Sequence, residues 1–421
     1  MDFVAKYLDS PIEFIEAAGY SLMSAVMGQY LQSEWLPNLT RRPNLWILLS
    51  SIPGRARRSS LNAIYNAVYR EGKKVVLREK TKNEEELTRL VEFTKIEEGS
   101  PEGIIDHIEY TNLDAYHYDS TEFGIILRKI QAQGYQYGVG QVISKLVYGE
   151  GGTVYLSRRS DKKSLRVLKP GIYCDGFLGM QEFYLYVSED MIRQGLIRRF
   201  LIIYCPKNPR WLPPINEGRL YMRSDLQDYA AKFVNRTAEV KSHGLVQVTW
   251  HPNVVSRINE IDRELATAVD EDPSLFNLAY QSSWEHIAKL CICREIANLN
   301  GIKLFQGEPT IMVKPETFER AYDFFKRATA HLEEGFDKIG IVYEKPRIRE
   351  MPYAKIKRLI RRAMRQGRLA STQYLLTRTN FPAEALSQYL EELVARGEIK
   401  RKIKRTATKP MIYYELADGN S

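Results

Sequence analysis

The sequence predicts an α/β protein with a mostly parallel sheet, followed by a helical region and a small basic module of three helices and two strands. Three observations support this. Short apolar runs alternate with helical stretches over the first half of the chain, the pattern of strands separated by helices. From residue 216 to residue 345 the apolar residues recur at helical spacing, a period of 3.6. The positive excess lies entirely at one end: residues 351–421 hold 15 Lys and Arg against 6 Asp and Glu, which accounts for the whole net charge of +9 on the 421-residue chain. Such asymmetry points to a terminal segment that meets a polyanion.

The elements follow in order. Residues 1–40 read as helical, with apolar residues three and four apart in PIEFIEAAGYSLMSAVMGQYL. The first strand is 41–50. A basic turn, SSIPGRARRSS at 50–60, leads into a helical stretch. A second strand falls at 73–77, a charged amphipathic helix at 81–96, and a strand that ends on acids at 113–123. Further strands fall at 171–174 and 200–204. Helices are expected at 225–240, 255–269, 284–299 and 315–336, the last with Pro315 in its first turn, where a missing N–H costs little. Residues 343–352, rich in proline and charge, form a linker. Then come helices at 353–366, 371–377 and 380–395, the first and third stopped by Gly367 and Gly397. Strands at 398–404 and 411–416 close the chain, joined by a basic loop. Three helices and a β-hairpin is the order of a winged helix, a helix-turn-helix variant. The expected domains are a helical segment 1–40, an α/β core 41–215, a helical region 216–345 and a winged helix 351–421.

Some classes are excluded at this level. No apolar run approaches the length of a membrane span, and the early acids of MDFVAKYLDS do not fit a signal peptide. The four cysteines, Cys174, Cys205, Cys291 and Cys293, show no zinc-site spacing with each other or with the histidines. Buried, reduced thiols in a cytoplasmic protein are expected.

Three stretches carry candidate chemistry. A phosphate-binding loop aims backbone N–H groups at the anion, with a helix N-terminus behind it. It adds a lysine for the phosphates and a hydroxyl for magnesium. Residues 51–59 keep that frame with Pro53, Gly54, Arg57, Arg58 and Ser59, but lack the glycines and the lysine. Arginine is a poor copy of a lysine point charge, so a surface turn or a general phosphate-contacting loop suits these letters as well as an ATP site does. The strand ending at Asp119 supplies an acid for magnesium, with Ser59 as the hydroxyl ligand. Glu122 supplies an acid to polarise water. Arg199, in the turn before the strand at 200–204, is placed to stabilise transferred charge on a neighbouring subunit, or to cap the carbonyls of its own turn.

These elements in this order resemble the ATPase core of MCM-type AAA+ helicases and of related plasmid and virus ATPases. The family loop reads G-D-P-G-V-A-K-S. Pro53, Gly54 and Ala56 match it, Arg57 stands at the lysine and Arg58 at the serine, and a shift of one residue gives Arg58-Ser59. Arg199 matches the arginine of the family's S-R-F turn. The sensor asparagine falls near 173–176, where Asp175 is the nearest polar residue. The helix at 284–298, with Lys289 and Arg294, resembles the family's lid helix, and Val313 to Glu316 the step after it. The resemblance covers 41–421 and rests on element order, since every catalytic motif departs from the family's. It implies an AAA+-type P-loop core with a helical lid, ATP and magnesium as cofactors, a homo-oligomer, and replication proteins as partners. Pro53, Gly54, Arg57, Arg58, Ser59 and Asp175 would surround the nucleotide, with Asp119, Glu122 and Arg199 in catalysis.

DNA contact is expected from two places. On the winged helix the cations lie on the first helix (Lys355, Arg358, Arg362) and on the wing (Lys400, Lys402, Lys404, Arg405), which predicts steep salt dependence and little sequence choice. Its third helix is acidic, with Glu384, Glu391 and Glu392 against Arg396, so a protein-docking role stays open. Within the core, the basic, tyrosine-rich stretch 135–166 carries Arg158 and Arg159 in a loop or hairpin. In MCM-like ATPases hairpins at such places touch DNA; an ordinary exposed hairpin is the equal alternative. The functions consistent with this are a ring-forming DNA motor in replication, of the kind mobile elements carry, or a DNA-binding or assembly factor that kept the fold without ATP hydrolysis. A transcription regulator acting through the winged helix alone is disfavoured by the acidic third helix.

Overall fold

The computed structural model describes residues 10–36, 39–52, 61, 94–96, 101–113, 115–131, 137–149, 152–156, 164–206, 218–297, 302–305, 307–344, 352–365, 368–379, 381, 383–404 and 411–417. The chain forms two compact units, Met1–Gly340 and Ile341–Ser421.

The first unit opens with helix α1 (Ile12–Met27), buried along most of its length. Strands β1 (Leu31–Leu36), β2 (Leu39–Arg41) and β3 (Trp46–Ser51) follow, then β4 (Thr94–Ile96), α2 (Pro101–Thr111) and β5 (Ala115–Ser120). Helices α3 (Phe123–Gln131) and α4 (Tyr137–Tyr148) lead to the antiparallel hairpin of β6 (Gly152–Leu156) and β7 (Ser164–Leu168). After it come β8 (Tyr173–Gln181), α5 (Glu189–Arg193) and β9 (Leu201–Cys205). The unit continues with α6 (Gly218–Ser242), β10 (Val246–Trp250), α7 (Pro252–Glu271), α8 (Leu275–Tyr280) and α9 (Ser283–Ala297). It ends with β11 (Lys303–Phe305), β12 (Glu308–Val313), α10 (Pro315–Thr329) and α11 (Leu332–Glu344).

A five-stranded sheet, ordered β4-β5-β8-β3-β9 and parallel throughout, forms the heart of the unit. The run Trp46-Ile47-Leu48-Leu49 is apolar on consecutive positions because β3 is internal and covered on both faces. Period-2 alternation divides its side chains. Ile47 and Leu49 join Phe177, Leu201 and Ile203 in one core with α1, α9 and α10. Trp46 points the other way, stacked on Tyr118 at 5.6 Å and edge-on to Phe200 at 6.1 Å. The chain leaves β3 for the far edge, works back through β5 and β8, and crosses to β9 on the other side of β3. That reversal makes the carboxyl end of β3 a topological switch point.

The expectations of a helical segment 1–40 and a helical region 216–345 are each corrected by a second sheet, ordered β11-β12-β10-β1-β2. Its strands are short and half-polar, as in Val246-Gln247-Val248-Thr249-Trp250, and lie between strong helices. Residues 94–96 are a strand rather than the end of a helix, and 315–336 holds the whole of one helix and the start of another. The strand expected at 171–174 runs on to Gln181. Gly176, in this extension, is where Trp46 crosses: a Cβ there would lie 2.4 Å from the Trp46 ring. The strand expected at 73–77 lies outside the described residues.

The second unit contains α12 (Pro352–Arg365), β13 (Ala370–Ser371), α13 (Thr372–Thr379), α14 (Ala383–Ala395), β14 (Ile399–Lys404) and β15 (Met411–Leu416). Its sheet is antiparallel in the order β13-β15-β14. Ile356, Ile360, Leu375, Leu386, Leu393 and Ile399 pack at its centre. The two-residue strand β13 is too short to show a period. Among the described residues, no helix is long and apolar enough to cross a membrane.

Candidate functional site

All five strands of the parallel sheet run the same way, so their carboxyl ends share one edge. Ligands in open α/β sheets bind beyond that edge. The chain leaves it through Ser51 and Ile52; Pro53, Gly54, Arg57, Arg58 and Ser59, which follow, lie outside the described residues. What receives the loop is described. Ser50 Oγ accepts a hydrogen bond from the backbone N–H of Phe183 at 2.8 Å and donates to the Gln181 carbonyl at 3.4 Å. The end of β3 is thereby tied to the turn that follows β8.

An aromatic group builds up the same edge. Phe183 meets Tyr204 at 5.4 Å and Phe336 at 5.1 Å, and Tyr184 hydrogen-bonds Glu182. Lys338, paired with Glu334 at 2.6 Å, lies 5.5 Å above the Tyr184 ring. Arg128 lies 4.4 Å above Tyr186. Sequence reasoning did not single out these residues; their one linear trace is Gln181-Glu182-Phe183-Tyr184, directly after an apolar strand.

The two acids of β5 stand at different heights. Asp119 pairs in register with Phe177, which pairs with Ile47. It is therefore four positions short of Ser51, about 13 Å along the strand direction. Glu122 follows in the turn before α3 and is exposed at the edge.

Asp175 is not at this edge. It sits six residues before the end of β8, fully buried, with Oδ2 2.9 Å from His117 Nδ1. Burial raises its carboxyl above the usual range, and the nearby His117 opposes the rise. Its expected place beside a nucleotide assumed that the strand ended at residue 174. In the longer strand it is an interior group of the sheet.

Arg199 lies at the opposite, amino edge, in the turn Ile197–Arg199 before β9. Its guanidinium donates to the Gly195 carbonyl at 2.5 Å and rests 5.3 Å from the Tyr148 ring centre. The neighbouring Arg198 carbonyl accepts from His286 Nε2 at 3.0 Å. Burial lowers His286 to about 3, so it remains neutral and serves as a donor. Of the two cations expected on a lid helix, Arg294 donates to the Tyr20 hydroxyl at 3.0 Å. The other, Lys289, is buried on α9, within the core that covers the sheet rather than on a separate lid.

The second unit displays its charge on β14. Every residue from Lys400 to Lys404 is exposed, and Ile399 is buried. Alternation puts Lys400, Lys402 and Lys404 on one face. Lys402 is ion-paired with Glu415. On α12, Arg362 is exposed, and Lys357 pairs with Glu398 at 2.5 Å. Lys355 and Arg358 occupy helix positions whose side chains lie outside the described residues, as does all of Arg405. Glu384 and Glu391 are exposed on α14. Arg158 and Arg159 fall between β6 and β7 in sequence and are likewise outside the described residues.

The architecture is that of an α/β protein with a parallel five-stranded sheet and a separate basic helix-and-sheet unit. No family model matches the chain, and no curated protein matches it. Among solved structures it is similar to the Aeropyrum pernix ORC1 protein in complex with DNA, at 13% identity, covering 96% of this chain and 89% of that one with a TM-score of 0.19. That likeness is too distant to define a shared fold.

Proposed function

We propose that the chain is a DNA-binding, helicase-like protein of the AAA+ type that acts in DNA replication. The observation that carries this reading is the row of exposed cations on β14, together with the exposed Arg362 on α12. We read the second unit as a winged helix whose wing and first helix meet the DNA backbone. Phosphate contacts of this kind give affinity without sequence choice.

The first unit supports the nucleotide half of the proposal through its strand order. The basic stretch 53–59 follows in sequence an internal strand whose carboxyl end is the switch point of the sheet. ATP would lie there against Arg57, Arg58 and Ser59, with Pro53 and Gly54 shaping the turn. Magnesium usually meets protein through waters, one or two carboxylates and the substrate's own phosphates. Ser59 and Asp119 would supply that donor set, with Glu122 polarising water. Bound there, magnesium would neutralise phosphate charge. In an assembly of several copies, Arg199 would face a neighbour's nucleotide rather than its own.

A second reading, a non-catalytic DNA-binding or assembly factor, is favoured by the height of Asp119. Asp119 stands about 13 Å short of the level of Ser51, which sets it back from a magnesium held beside that strand end. The test is to measure ATP binding and turnover with magnesium, with and without DNA. Turnover stimulated by DNA supports the motor. Binding without turnover supports the factor. No ATP binding at millimolar concentration removes the nucleotide half of the proposal. DNA affinity that survives deletion of residues 351–421 with an unchanged salt slope removes the other half.

A further inference from the structure

At the amino edge of the parallel sheet, opposite the loop, is a cavity of about 260 Å³. Its walls come from β1, the approach to β3, the end of α4, the turn before β8, and α9. Three cations line it, Arg41, Arg42 and Lys289, against one carboxylate, Glu285. The aromatic rings of Trp35 and Tyr148 complete the walls, and the Arg41 guanidinium lies 5.2 Å from the Tyr148 ring centre.

Lys289 is the unusual member. Its side chain is 4% exposed. Among the described residues it has no hydrogen-bond or ion-pair partner. Glu285, one helical turn earlier, faces the same cavity without closing an ion pair to it. A buried ammonium is costly unless it is paired. Burial, with the nearby Arg41 adding to it and Glu285 opposing it, brings Lys289 down to about 8. An anion in the cavity would supply the missing partner.

We propose that this cavity binds a small phosphate-bearing ligand, with the phosphate held by Arg41, Arg42 and Lys289. The balance of charge favours a dianion, because three cations and one carboxylate leave two positive charges. Arginine forks and a lysine point charge are the usual partners of phosphate oxygens. At about 30 Å³ per water, the space exceeds inorganic phosphate. It lies at the small end of organic-ligand sites, a space that a sugar or polyol phosphate fits. This site is independent of the nucleotide reading of the carboxyl edge.

The test is calorimetric titration of the full chain with ribose 5-phosphate and with inorganic phosphate. Saturable binding of ribose 5-phosphate is expected, tighter than that of phosphate. Lys289→Met should weaken it at least about tenfold, since a charge-assisted contact is removed. Glu285→Gln should strengthen it, because a competing negative charge is gone. The phosphate is already a dianion above neutral pH, so raising the pH from 7 to 9 should weaken binding about tenfold as Lys289 loses its proton. Absence of saturable binding in the wild type overturns the proposal. So does binding that Lys289→Met leaves unchanged, or that Glu285→Gln weakens.

Discussion

Replacing Lys400, Lys402 and Lys404 together with glutamine tests the DNA-binding reading at its centre. The three lysines occupy alternate positions of β14, span about 13 Å, and are all exposed. Their removal leaves the packing of Ile399 and Tyr414 in the core of the unit untouched. Each cation that neutralises a duplex phosphate contributes about 0.9 to the slope of log affinity against log salt. Three give about 2.7; if Lys402 stays with Glu415, two give about 1.8. Over a fourfold rise in salt, from roughly 50 to 200 mM, the wild type should then lose about 10- to 40-fold more affinity than the variant. Fluorescence anisotropy of a labelled duplex at several salt concentrations measures this directly. Circular dichroism confirms that the variant is folded. A slope that changes by less than about 1 would show that this strand does not lie along phosphates, and the proposed orientation of the unit on DNA would be wrong.

Three further outcomes follow from the first unit. Gly176→Ala places a Cβ against the Trp46 ring and should cost about 1–3 kcal/mol in urea unfolding; a neutral result would contradict the pairing of β3 with β8. Ser50→Ala leaves the buried N–H of Phe183 without its acceptor and should cost about 1–3 kcal/mol by the same measurement. Lys289→Met should raise stability at neutral pH by up to about 3 kcal/mol. Its sign follows from the lowered value of about 8: the unfolded chain holds the proton more tightly, so the wild type is penalised below pH 8. The penalty fades as pH rises towards the ordinary lysine value, and urea midpoints of the two proteins should converge there.

The strands that the sequence shows most plainly are those with consecutive apolar residues, β3 and β9. Both lie in the parallel sheet, where burial on two faces demands that pattern. The strands of the second sheet were hidden because polar residues interrupt them, as in Leu31-Gln32-Ser33-Glu34-Trp35-Leu36, and because their neighbours in the chain are long helices. The length of β8 was hidden for a different reason. Gly176 and Gly179 interrupt its apolar run, and only the register shows that Gly176 makes room for Trp46. A strand read as 171–174 leaves Asp175 just beyond its end, whereas it lies inside β8. The basic cavity had no linear trace at all, since its walls come from five separate segments of the chain.

The two edges of the parallel sheet divide the charge of the first unit in a way that bears on function. At the carboxyl edge are the exposed acid Glu122 and the hydrogen-bonded Glu182, and Lys338 is already paired with Glu334. Arg128, over the Tyr186 ring, is a further cation of this edge. At the amino edge Arg41, Arg42 and Lys289 outnumber their one acid, and Arg199 stacks on the same Tyr148 ring that Arg41 covers. A dianion in the cavity would draw Arg41 and Lys289 together around it. Because Arg41 and Arg199 share the Tyr148 ring, the position of Arg199 would then depend on occupancy. If Arg199 acts on a neighbouring subunit, ligand bound at the amino edge would be felt at a nucleotide site of the adjoining copy. Linkage requires the effect to be reciprocal, so nucleotide added to an assembled protein should change the affinity for ribose 5-phosphate. The same titration on a dissociated protein should show no such coupling.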